Sequence, residues 1–246
     1  MSIDFFQNPP SMHSASRSGS LAPDMPDMPD ITGSTECARE LRSLLAQHRM
    51  FEVLHRRIFR PFLFTTGDDG SDDCGLEELL TTISRMIRGK SVRREALWRA
   101  ITLRAMFSSP RAKKSVNAAA TATLNEIVEA LTQLAPPERP DELLQALRAV
   151  VKDAVALWRQ ARVDPDTIRS SMPDTSHSHA LGDVIFWVRP HVVCERTGIL
   201  TAAGQDGEGE MGTLIYLQGT ALRRDSPLIL QRRQEVLQEH GGRDGG

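Results

Sequence analysis

Two groups of residues in this 246-residue chain have types and spacings that could do chemistry. The first is His177, His179, His191 and Cys194. Two histidines one residue apart, followed by an H-x-x-C pair, supply imidazole and thiolate ligands that zinc accepts. Cys194 near His191 also has the makings of a nucleophile with its base. The spacing matches no standard zinc finger, and the first pair lies in the Ser-rich stretch DTSHSHALG. Around Pro190 the chain reads as strand, and strand alternation turns His191 and Cys194 to opposite faces. A linker histidine pair and a core cysteine account for the same residues. The expectation is therefore no metal, no cofactor and no catalytic residue at these positions.

The second group is basic. Arg85, Arg88, Lys90, Arg93, Arg94, Arg99, Arg104, Arg111, Lys113 and Lys114 stand against one acid, Glu95. Arginine is the bidentate donor for phosphate, so this region could form a polyanion-binding surface. The same arginines could pair internally with the upstream acids Asp68, Asp69, Asp72, Asp73, Glu77 and Glu78. Internal pairing is the favoured reading, with Arg93, Arg94 and Arg104 partly buried against carboxylates. The acids form no calcium loop, because no register puts acids at the first, third and fifth positions with glycine sixth and glutamate twelfth. The sequence contains no G-x-S-x-G, phosphate loop or H-E-x-x-H.

These groups are positioned by helices. The stretch KSVRREALWRAITLRAMF at 90–107 is apolar around its whole circumference, which predicts a buried helix at the centre of the fold, capped by Ser91. Ser34 caps a preceding helix that runs to Arg60 and is closed by Pro61. Its apolar stripe contains His48 and His55. Leu76 to Ile87 mark a short amphipathic helix ending at Gly89. Ser109 with Pro110 opens a helix to Leu134, and a further helix runs from Pro140 to Arg162. Trp98 and Trp158 lie among apolar residues at helical spacing and are expected in the core. After Pro165 a short turn of helix is expected, then strands at DVIFWV (183–188) and TLIYLQG (213–219), and a last helix with Ser226 as cap and Pro227 at its first position.

The predicted fold class is mainly α: a helical bundle with a small C-terminal β-element and a terminal helix. The predicted organisation is a disordered arm at 1–33, a bundle at 34–172, a linker at 173–182, a small α+β element at 183–240 packed on the bundle, and a disordered tail at 241–246. Proline at every third residue of PDMPDMPD (23–30) excludes a helix there.

A net charge of -2 argues against wholesale attraction to nucleic acid or a membrane surface, so any such binding must be local. Three widely spaced cysteines do not make a disulfide framework. No stretch reaches the length of apolar run needed to cross a membrane, and MSIDFFQNPPSMHS has no basic region followed by an apolar run. A cytoplasmic or nuclear protein that is not secreted is expected.

The strings KSVRREALWR, VVKDAVALWRQARV and YLQGTALRRDSPLILQRRQE resemble an uncharacterised family of filamentous-fungal helical proteins in which similar segments come in this order. The resemblance spans roughly residues 35–240 and implies no assigned activity, cofactor or site residue. The functional expectation is a non-catalytic intracellular interaction or structural module that binds another protein or itself. The alternative is nucleic-acid or polyanion binding through Arg85 to Lys114, and a weaker alternative is a metal-dependent or cysteine enzyme.

Overall fold

The structure is a computed structural model and describes residues 25, 27–62, 73–134, 139–173, 183–196 and 212–241. Among these are six helices, α1 (Glu36–Arg57), α2 (Asp73–Arg88), α3 (Val92–Ser108), α4 (Pro110–Thr132), α5 (Pro140–Val163) and α6 (Pro227–Gly241). Five strands complete the chain: β1 (Thr167–Ser171), β2 (Val184–Arg189), β3 (His191–Glu195), β4 (Thr213–Leu217) and β5 (Thr220–Arg223). The architecture is mainly α, as expected.

Helix starts follow capping chemistry. The Ser91 hydroxyl accepts from the Arg94 amide, Ser109 accepts from Ala112 ahead of Pro110, and Ser226 accepts from Ile229. The start of α1 is shifted by one residue from expectation: Thr35, not Ser34, is the cap and accepts from Ala38. The Thr35 hydroxyl also donates to Glu235 on α6 at 2.7 Å, a tie between chain ends that local sequence does not reveal.

The helix at the centre is α1 rather than α3. Helix α1 packs on α4, β2 and α6 at once, and Cys37, Ala38, Leu41, Leu45, Val53 and Leu54 are all buried along it. Helix α3 packs on α2, α4 and α5, but Leu97 and Ile101 are 64% and 60% exposed. The apolar residues of α3 therefore divide into a core face, Ala96, Leu103 and Phe107, and an outward face. All-round apolarity did not mean burial here, because half of the helix has no covering layer.

The turn of helix expected after Pro165 is replaced by β1. The Asp164 carboxylate accepts from the Asp166 amide and turns the chain straight from α5 into the strand. Strand β1 pairs antiparallel with β3, and β3 with β4; β2 pairs antiparallel with β5. The two sheets are halves of one bent ribbon. Arg189 faces Thr220 at the end of one half and Val192 faces Leu217 at the start of the other, so both strands pass the bend without losing their offset. Pro190 sits at the bend on one strand. Gly219 sits there on the other, where a Cβ would lie 3.0 Å from the Trp187 ring. The inner half buries Phe186, Val188 and Leu222 against α1, and the outer half leaves the bundle.

Residues 27–33, read from sequence as part of the arm, lie against the bundle: Ile31 is buried and its carbonyl accepts from Arg42. The expected arm up to residue 24, the linker from 174 to 182 and the tail from 242 lie outside the described residues.

Trp158 is buried and its indole N–H donates to the Arg60 carbonyl at 2.7 Å, with Phe59 tilted against the ring at 5.2 Å between centroids. Trp98 is only half-buried; it meets Phe62 edge-on at 6.4 Å. Replacing a buried tryptophan by alanine typically costs about 3 to 5 kcal/mol. Trp158→Ala is expected to fall in that range by urea unfolding, and Trp98→Ala well below it.

Candidate functional site

The basic region does not act as one unit. Arg99 has no exposed surface and gives its donors inward: Nε to Glu95 at 3.1 Å, Nη1 to the Arg162 and Asp164 carbonyls at 2.5 and 3.1 Å. Arg88 reaches Glu195 on β3 and the Thr167 hydroxyl on β1. For these two, the expectation of internal pairing holds. It fails for Arg93, Arg94 and Arg104. All three are exposed, and none has a carboxylate within ion-pair distance among the described residues. The upstream acids contribute one pair, Glu77 with Arg60 at 2.5 Å, and Asp68, Asp69 and Asp72 lie outside the described residues. At 100° per residue, Arg93, Leu97, Ile101 and Arg104 fall within one quadrant of α3, so the outward face carries exposed apolar residues between exposed arginines.

Of the His/Cys group, His191 and Cys194 are among the described residues, and they do not face each other. His177 and His179 lie outside the described residues. His191 is half-buried opposite Ser171, whereas Cys194 is buried opposite Ile168 and Leu214 on the other face of β3. Burial pushes the Cys194 thiol above its ordinary range, partly offset by a hydrogen bond with the Tyr216 hydroxyl. Burial likewise raises Cys37, whose thiol donates to the Leu228 carbonyl at 3.1 Å. Neither cysteine is poised as a thiolate. Among the described residues, no three histidine, cysteine, aspartate or glutamate side chains are grouped as metal ligands.

A cleft of about 700 Å³ lies between α1 and β2 and includes His48, Glu52, His55, Phe59 and Trp187 in its walls. Its titratable groups already have partners. His48 Nδ1 is 2.8 Å from the Trp187 carbonyl and His55 Nε2 is 3.0 Å from the Ser170 carbonyl, so each imidazole donates to the backbone of a different half of the ribbon. Arg49 meets Glu52, and Arg56 is paired with Glu126 beyond the cleft. No serine, threonine, cysteine or lysine lines it. These histidines, read from sequence as partly buried stripe residues, serve as bolts between helix and ribbon.

The feature least accounted for by packing is β4. It is an edge strand in the order β1, β3, β4, and all five of its residues are exposed, including Leu214, Ile215, Tyr216 and Leu217. Four consecutive large apolar side chains lie on an edge unpaired among the described residues, and such an edge offers both open backbone groups and apolar area. Sequence reading identified the strand but not its exposure, because an apolar run of this length reads equally well as a buried strand.

No family model matches the chain, and no curated protein or solved structure matches it. No helix among the described residues is long and apolar enough to cross a membrane.

His48 yields a pH test. Its pKa lies below the ordinary 6.5, chiefly through burial and also through Arg49, against the opposing pull of the Trp187 carbonyl and Glu52. A histidine held neutral by the fold binds fewer protons folded than unfolded between its two pKa values. Its contribution is therefore complete above 6.5 and is lost as pH falls through the folded value. The urea midpoint should drop on acidification from about pH 7 to about pH 5, and His48→Gln should flatten that slope.

Proposed function

We propose that the protein is a non-catalytic interaction module that associates with a second copy of itself by pairing β4 edge to edge. The observation that carries this reading is an edge strand, Thr213–Leu217, that has β3 as its one neighbour among the described residues, is exposed over its whole length and has neither a charge nor a proline. Edge strands usually carry such residues to prevent pairing. An uncharged strand set against its own copy meets no like charges, so the pairing is self-compatible.

The opposite edge of the same sheet supports a closed dimer over an open chain of copies. Strand β1 carries Arg169, whose guanidinium is paired with Glu195, and leads directly out of α5. The two edges thus differ in charge, and β4 pairing with β4 closes a two-fold assembly where β4 pairing with β1 would propagate. Joined in this way, two three-stranded sheets become one of six, within the ordinary size of a sheet.

A second reading keeps support from the exposed Arg93, Arg94 and Arg104, which stand on the outward face of α3 without carboxylate partners among the described residues. Nucleic acid bound there would show a steep loss of affinity with salt in a mobility-shift titration.

For self-association we expect sedimentation velocity to show a monomer–dimer equilibrium. Ile215→Lys and Leu217→Glu, both at exposed positions, should shift it to monomer while leaving the helical circular dichroism unchanged. A wild-type chain that stays monomeric at every accessible concentration, or a dimer untouched by both substitutions, would remove this reading.

A further inference from the structure

Away from β4, two cavities open where α3, α4 and α5 meet, of about 200 Å³ and about 480 Å³. They share Phe107 and Arg159 as common walls. The Arg159 guanidinium lies 4.6 Å above the Phe107 ring, a contact that holds a long cationic side chain in place between the two cavities. Lys113 borders the smaller cavity and Arg104 the larger, so three cations line the combined space. No aspartate or glutamate lines either cavity. Asp153, one turn before Ala156 on α5, is outside the lining.

In the larger cleft between α1 and β2, Arg49, Arg56 and Arg60 each have a carboxylate: Glu52, Glu126 and Glu77. Arg104, Lys113 and Arg159 have none among the described residues. Helix α4 begins beside them at Pro110 with no acidic residue in its first turn, so its dipole adds to the positive potential. The floor is apolar, from Phe107, Val116 and Val163, with Asn117 and Gln160 as neutral hydrogen-bonding groups. Together the volumes fall in the range of a small-molecule site.

We infer that this cleft binds a phosphorylated small molecule, its phosphate groups held by Arg104, Lys113 and Arg159 and its less polar part lying over Phe107 and Val163. Arginine supplies bidentate donation to phosphate and lysine a compact point charge. The site uses none of the residues of β4, so it stands or falls separately from self-association.

The test is calorimetric titration of the full-length protein with inorganic pyrophosphate, at an ionic strength held constant with sodium chloride. Saturable binding is expected. Arg159→Gln and Lys113→Gln should each weaken it by about tenfold or more, as loss of a charged hydrogen bond does. Arg93→Gln, exposed on α3 but outside the cleft, should leave it unchanged. Lys113 is exposed and belongs to no packed contact of the core, so its variant reads binding even if Arg159→Gln disturbs folding. No heat beyond that of matched chloride would overturn the inference. So would equal losses from Arg93→Gln and Lys113→Gln, which would show diffuse charge attraction instead of a site. Binding of a nucleic-acid duplex that is stronger than pyrophosphate and depends on Arg93 and Arg94 would also overturn it, in favour of an extended polyanion surface.

Discussion

A guanidinium does not give up its proton inside a protein, so an arginine without exposed surface depends on the fold for its acceptors. Three residues are in that position: Arg42, Arg99 and Arg232. Each donates to at least one backbone carbonyl, and Arg99 and Arg232 also to carboxylates, while Arg42 Nε and Nη2, Arg99 Nη2 and Arg232 Nη2 are buried without an acceptor among the described residues. Arg42 on α1 donates to the Ile31 and Gly33 carbonyls at 2.6 and 2.7 Å. Arg232 on α6 donates to the Asp30 carbonyl at 2.7 Å while holding Glu235 and Glu239. Residues 30–33 are thereby clamped between the first and last helices. Gly33 makes the clamp possible, since a Cβ there would lie 2.7 Å from the Arg232 guanidinium.

Arg99 performs the same task at the junction of bundle and ribbon. Its bonds to the Arg162 and Asp164 carbonyls fix the end of α5 at the point where the chain turns into β1. Arg162 is buried beside it, and burial together with the Arg99 charge pulls its pKa down to about 10. One carboxylate, Glu95, serves this pair of cations, and the Ser84 hydroxyl donates to it as well at 2.8 Å. The direction in which the outer ribbon leaves the bundle thus depends on a buried ionic cluster. Hydrophobic packing fixes the inner half, where Phe186, Val188 and Leu222 meet α1, and the histidines on α1 attach to both halves. Strand β4 comes last in this chain of supports and has no layer over it.

How much of this was legible in the sequence depends on how local its cause is. Caps at Ser91, Ser109 and Ser226 and the stripes of α4 and α5 are short-range effects, and α3, α4 and α6 begin directly after those serines. What escaped was long-range. Nothing near Arg42 in sequence marks it as buried, because its acceptors are main-chain atoms, and main-chain carbonyls carry no residue identity. Strands β1 and β5 were missed for a related reason: TIRSS and TALR have little apolar content, and their strand character comes from the ladder they join.

The charge pattern follows from the same division. A chain of net charge -2 that buries arginines must leave carboxylates at or near its surface, and many of those pair there with other arginines: Glu126 with Arg56 and Arg57, Glu195 with Arg88 and Arg169. Surface pairs of this kind add little to stability individually, typically less than about 1 kcal/mol each. Their larger effect is on the field, since each cancels a positive charge that would otherwise attract anions over a Debye length of about 10 Å. Arg104, Lys113 and Arg159 are outside this cancellation, and so are Arg93 and Arg94. Cations without a paired carboxylate among the described residues thus stand on α3 and at its junction with α4 and α5, whereas β4 is uncharged. The two surfaces left without internal partners have different physical characters, one apolar and strand-like, the other cationic and concave, and each suits a different kind of ligand.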